Sequence, residues 1–239
     1  MLAGFSTGSL ALADFRRGLQ MATHERVQAI ELSALREAEL DPLLDALDSL
    51  QKHELQSFRY VSFHAPSRRE SLSERELVAK LKKVASLGWA IIVHPDVMHD
   101  LPVWHDLGSA VCIENMDKRK SNGRTAIQLQ EYFDALPDAT FCFDIGHARQ
   151  VDPSMQEAMT LVRSFRDRLR QVHMSFVNSQ SCHERLNFEC FESFRKVLSY
   201  VSRDIPIILE TPTLADEIDL ELDFAESILV ADNVANKVS

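Results

Sequence analysis

The sequence predicts an α/β protein folded as a single (β/α)8 TIM barrel, and three observations lead there. Eight short runs rich in Val, Ile, Phe and Ala alternate with amphipathic stretches, the pattern of buried parallel strands joined by helices. The 239 residues divide into eight units of about 30 residues each, close to the ≈ 250 residues typical of such a barrel and too few for a second domain. An open, doubly wound sheet would want a glycine-rich phosphate loop after its first strand, and Gly4 and Gly8 do not supply GxGxxG.

In chain order, the first run is Leu2–Thr7. The surrounding MLAGFSTGSLALADF lacks a basic leader and is interrupted by glycines and Asp14, so it reads as a first strand and helix start, not a signal peptide. Val27–Ser33 is the second run, and the amphipathic Asp41–Lys52 leads from it to the third, Phe58–Ala65. Helix Ser73–Leu87 precedes the fourth run, Trp89–His94, and Ala110–Asn115 is the fifth. Ala126–Ala135, Met155–Arg168 and Cys190–Ser202 then alternate with Thr140–Asp144, Gln171–Ser175 and Pro206–Glu210. Glu217–Val230 closes the series; in each helix Leu and Val recur at spacings of three and four. Residues 1–231 are assigned to the barrel and 232–239 to a C-terminal tail.

Composition bounds the function. A hydrophobic content of 45% suffices for a large core. Lys and Arg number 26 against 36 Asp and Glu, a net charge of −10 that suits neither nonspecific nucleic-acid binding nor an anionic membrane. No stretch approaches the roughly 18 apolar residues of a membrane span. The four cysteines form no CxxC pair, and Cys112 and Cys142 fall inside apolar runs, as expected of free thiols in the cytoplasm. Nine histidines stand beside only seven glycines, and histidine is the commonest metal ligand.

Where those histidines fall carries the functional signal. Successive runs end in VSFHAP with His64, IIVHPD with His94, and VCIENMD with Glu114 and Asn115. FCFDIGH follows with Asp144 and His147, then VHMS with His173 and IILETP with Glu210. In a barrel these strand ends converge on the face where active sites are built. A carboxylate after several apolar residues is costly to desolvate unless paired or metal-bound, and mixed imidazole and carboxylate donors suit a divalent ion. His24, His53, His99 and His105 fall in helices or adjoining turns and take no role.

These residues resemble, in order and strand position across nearly the whole chain, the xylose isomerase-like barrels. That superfamily includes sugar and sugar-phosphate isomerases and epimerases and endonuclease IV-type apurinic endonucleases. Its epimerase branch holds one divalent ion by Glu, Asp, His and Glu from strands five to eight, which Glu114, Asp144, His173 and Glu210 match. The resemblance implies Glu114 and Glu210 as the catalytic acid/base pair. The endonuclease IV branch adds histidines that His64, His94 and His147 match, and an Asp-x-His after strand seven. His183 fits that last motif, but Ser181 replaces its Asp, which puts a three-metal site in doubt. By resemblance the cofactor is Zn, Mn, Fe, Co or Mg, one to three ions per chain.

Glu31, ending the second run in IELS, occupies a position where these barrels often carry an acid. Together with Asn115, Lys118 and Arg119 it is a candidate substrate contact. Lys118, Arg119, Lys120 and Arg124, and likewise Arg68 and Arg69, read either as solvated loops or as anchors for a substrate phosphate or carboxylate. Two activities follow. The first is a metal-dependent isomerase or epimerase of a small sugar, sugar phosphate or related hydroxy-carbonyl compound, favoured by family frequency. The alternative is an endonuclease IV-like hydrolase or phosphodiesterase with two or more ions, favoured by the histidines, though not on duplex DNA.

Overall fold

The computed structural model describes residues 2–230; the boundary at residue 231 and the tail at 232–239 lie outside the described residues. All eight expected runs form strands: β1 Ala3–Ser6, β2 Ala29–Ser33, β3 Tyr60–His64 and β4 Ala90–Val93, then β5 Val111–Glu114, β6 Thr140–Asp144, β7 Leu169–Met174 and β8 Ile207–Leu209. Each pairs in parallel with the next, and β8 closes on β1 through Ala3↔Ile207. The result is a closed (β/α)8 barrel. No described helix is long and apolar enough to cross a membrane.

Two apolar clusters follow from the period-two alternation of the strands. Phe5, Ile30, Phe63, Ile91, Ile113 and Phe141 point outward and pack with the helices in one large core. The intervening positions face the barrel axis, where Ala90, Ile92, Cys112 and Cys142 make a second, small cluster. Burial on both faces explains why the strands read as continuous apolar runs. Cys112 and Cys142 are buried free thiols, as expected, while Cys182 is exposed.

Helices begin where the sequence supplies caps. The Ser73 hydroxyl accepts from the Glu76 amide while Glu76 accepts from that of Ser73, starting Glu74–Ala85. Thr125 caps Ala126–Ala135 and Asn187 caps Phe188–Leu198. Three features depart from expectation. The helix expected to reach Arg168 stops at Ser164 and continues as a 3-10 turn over Arg166–Arg168. A short helix, Ile145–Val151, follows β6 directly. After β7, Phe176–Val177 pairs antiparallel with His183–Glu184 in a small hairpin.

Closure depends on Gly4. A β-carbon there would lie 1.6 Å from the Ala29 carbonyl oxygen across the β1–β2 pair, so the two backbones meet at a distance only glycine permits. Gly4→Ala is expected to destabilise the fold by about 3 kcal/mol or more, because the obstacle is main chain and cannot rotate away. Urea denaturation checks this; a loss under about 1 kcal/mol would show that the barrel simply yields.

Candidate metal centre

Glu114 is the hub of the barrel's C-terminal mouth. It ends β5 facing inward and is 1% exposed. One carboxylate oxygen, Oε2, faces His94 Nε2 at 3.1 Å and His64 Nε2 at 3.4 Å. The other, Oε1, faces His173 Nδ1 at 3.3 Å and His147 Nδ1 at 3.4 Å. Each oxygen thus meets its own pair of imidazoles. His64 is oriented by its Nδ1, 2.7 Å from the Ala65 carbonyl oxygen, which leaves Nε2 free for the mouth.

The DIGH segment is shaped by the turn that ends β6. Asp144 Oδ1 accepts from the His147 amide at 2.6 Å, making Asp144 the N-cap of Ile145–Val151. That cap swings His147 back over the site, with Nδ1 3.3 Å from Asp144 Oδ2. Gly146 is required because a β-carbon would come within 2.4 Å of the Ser175 carbonyl oxygen. From β7, His173 Nδ1 lies 3.5 Å from Glu210 Oε2, just beyond β8. The hairpin brings His183 in, its Nδ1 2.8 Å from Ser175 Oγ and 3.6 Å from Glu210 Oε2. All eight candidate ligands therefore converge.

The candidate substrate contacts fare unevenly. Asn115 is fully buried and both ends of its amide are used: Nδ2 donates to the Asp144 carbonyl and Oδ1 accepts from the Asp144 amide, each at 2.8 Å. It pins β5 to β6. Glu31 is also fully buried, bonded to Ser62, Gln171 and His173 beneath the site. Lys118 is exposed and does not line the cavity, whereas Arg119 does. Arg68 and Lys120 join Arg119 on that wall. Arg69 instead pairs with Glu74 at 3.3 Å.

Ser181, where the endonuclease IV pattern has Asp, turns away from the site. It sits in the left-handed region with φ 58° and takes a hydrogen bond from Gln150 Nε2 at 2.6 Å. Asp117 was not anticipated. It is 3% exposed, lines the same cavity, and is held by Arg119 Nη2 at 2.9 Å.

The donor set fits divalent metal. Glu114 Oε2 and Asp144 Oδ2 are buried without a hydrogen-bond partner, although imidazole nitrogens stand within 3.4 Å of both. Donors facing one another without hydrogen-bond alignment are what an ion's ligands look like, and a buried unpartnered carboxylate oxygen is otherwise costly. One donor atom each from His64, His94 and Glu114 lie within 4.8 Å of one another, and the same holds for Glu114, Asp144, His173 and Glu210. A third overlapping set, Glu31, His64 and Glu210, meets the same spacing. Burial, with repulsion from Glu114, pushes the Glu210 carboxyl up to about 7 and that of Asp144 to about 6, despite the opposing pull of His173 and His147. The repulsion that Glu114 exerts on Glu210 and Asp144 is what a cation between them would relieve.

Solved structures share this architecture. Over all of both chains the protein superposes on a D-tagatose 3-epimerase-like protein with a TM-score of 0.66 at 19% identity. Endonuclease IV from Thermus thermophilus gives 0.64 at 21% identity, covering 96% of this chain and 99% of that one. The shared fold is the closed (β/α)8 barrel. The probable 3-DHS dehydratase AsbF from Bacillus anthracis superposes with a TM-score of 0.60 at 12% identity over 93% of this chain and 98% of that one. No family model matches the sequence, and no curated protein matches it significantly. The likeness is one of fold.

Proposed function

We propose that this protein is a metal-dependent hydrolase of small phosphate-bearing substrates. One observation carries the reading: Glu114 belongs to two candidate ligand sets at once, with His64 and His94 facing its Oε2 and His173 its Oε1, so that one carboxylate could serve two ions. His64, His94 and Glu114 would hold one ion, and Glu114, Asp144, His173 and Glu210 the other. Ions held there supply Lewis acidity toward a phosphoryl oxygen and ready ionisation of water at neutral pH.

The rest is done by the protein's own side chains. The cavity of about 590 Å³ is of the size that encloses a small ligand. Arg68, Arg119 and Lys120 line it and bind the anionic group, Arg119 being braced by Asp117. Leu12, Leu35 and Pro212 form an apolar wall for the organic portion. The net charge of −10 sets this site apart from one that grips duplex DNA.

The isomerase reading keeps one observation in its favour. Burial raises Glu114, but His173 and His94 outweigh it and hold the carboxyl well below the usual range, while Glu210 rises to about 7. Two carboxylates with separated proton affinities are the makings of an acid/base pair. Metal stoichiometry decides between the two. Two zinc, iron or manganese ions per chain, with turnover of a nitrophenyl phosphodiester, are expected; one ion with ketose epimerisation and no ester cleavage would overturn the hydrolase.

A further inference from the structure

Below the candidate ligands the barrel axis is crossed by a polar layer that is buried apart from the partly exposed Tyr60. Tyr60 donates to Gln171 Oε1 at 2.8 Å, and Gln171 Nε2 donates to Glu31 Oε2 at 2.7 Å. Ser62 Oγ donates to the same Glu31 oxygen at 3.1 Å, and His173 Nε2 lies 3.0 Å from it. Glu31 and Ser62 are register partners on β2 and β3, and Gln171 stands two residues before His173 on β7, so all face the axis.

The hydrogen-bond count fixes the direction of the Tyr60, Ser62 and Gln171 contacts. With Tyr60 donating to its oxygen, the Gln171 amide has only N–H groups to offer Glu31. Gln171 Nε2 is also 2.8 Å from His173 Nε2, so a proton on that ring nitrogen has only the Glu31 carboxylate as an acceptor. A neutral ring that carries its proton on Nε2 presents a bare Nδ1, the nitrogen facing Glu114 and Glu210.

We infer that Glu31 is a positioning residue, which together with Gln171 holds the proton of His173 on Nε2 and turns the Nδ1 lone pair into the metal centre. The inference rests on the metal reading of that site and is indifferent to which reaction the site performs. Outer partners of this kind set ring orientation and ligand basicity, and their loss typically lowers metal affinity 10- to 100-fold.

The test uses the full chain and Zn²⁺ alone, titrated against a chromophoric chelator, for wild type, Glu31→Gln and Cys112→Ala. Glu31→Gln is expected to weaken Zn²⁺ binding about 10- to 100-fold at unchanged stoichiometry. Cys112→Ala, which trims the small apolar cluster on the barrel axis and takes no part in the polar layer, is expected to shift the unfolding midpoint and leave affinity near wild type. In zinc-loaded, 15N-histidine-labelled wild type, a ring protonated at Nε2 and bare at Nδ1 is expected, and that signature is expected to change in Glu31→Gln.

Unchanged affinity in Glu31→Gln would overturn the inference alone, whereas no zinc binding by wild type would overturn the metal reading and this inference with it. An equal loss in Cys112→Ala would assign the effect to barrel packing, and a drop in stoichiometry would make Glu31 a ligand; either result overturns it. If Glu31→Gln fails to fold, Gln171→Met keeps the carboxylate, removes one donor, and is expected to weaken zinc binding in the same direction.

Discussion

Replacing Glu114 with glutamine is expected to strip both ions from the protein and to lower kcat by on the order of 10³-fold or more. The variant keeps the side-chain volume but loses a carboxylate whose two oxygens serve two histidine pairs. An amide offers one oxygen and one NH2 group, so no orientation restores both sides. His64→Ala is the informative partner. His64 belongs to the set shared with His94 and Glu114 but not to that of Asp144, His173 and Glu210, so it is expected to remove one ion and spare the other. Metal analysis after gel filtration, with kinetics on a nitrophenyl phosphodiester, reads both variants. If His64→Ala kept full activity with one ion, chemistry would need only the second set, and the isomerase reading would take its place. If Glu114→Gln kept its metal, the hub would lie elsewhere.

The strand-end histidines were legible because each occupies the last inward position of a parallel strand. His64, His94 and Glu114 follow apolar runs whose burial on both faces leaves one place for a polar side chain, the open rim. The same alternation could have found the polar layer beneath. Tyr60, Ser62 and His64 lie two apart, as do Gln171 and His173, so a polar residue two positions before a rim ligand is a candidate support for it. Glu31 was singled out as an acid at the end of the second run, and its neighbours, not its position in the sequence, show that it contacts Gln171 and His173.

Loops were less legible for a physical reason: they have no period to say which way a side chain points. Lys118, Arg119 and Lys120 are consecutive, yet Arg119 and Lys120 line the cavity while Lys118 does not. Asn115 looked like a substrate contact until the Asp144 main chain, 29 residues on, took up its amide. Ser181 marked the departure from the endonuclease IV pattern, but only the fold shows it turned toward Gln150 and Asp117 standing on the same cavity wall as His147 and His183.

Removing metal is expected to invert the pH dependence of stability. Burial opposes the His64 charge, but Glu114 and Glu31 outweigh it and raise the imidazole to about 9 from an ordinary 6.5. A folded-state value above the unfolded one contributes stability that is complete below pH 6.5 and is lost as pH rises through 9. For this buried ring that is on the order of 3 kcal/mol. Glu210, raised to about 7, acts in the same direction and has lost its contribution by neutrality. Burial depresses His183 to about 3 and lowers His94; these groups oppose the trend only below about pH 6.5, where the unfolded chain begins to protonate. Chelator-treated protein should therefore lose roughly 6–12 °C of melting temperature between pH 6.5 and 9. With metal the sign reverses, because binding displaces those same protons and tightens as pH rises. Thermal unfolding across this range, with chelator and with Zn²⁺, is the measurement. Parallel curves would mean that metal and protons do not compete for His64 and Glu210. In Glu114→Gln, where His64 has lost its main partner, the chelator curve should flatten.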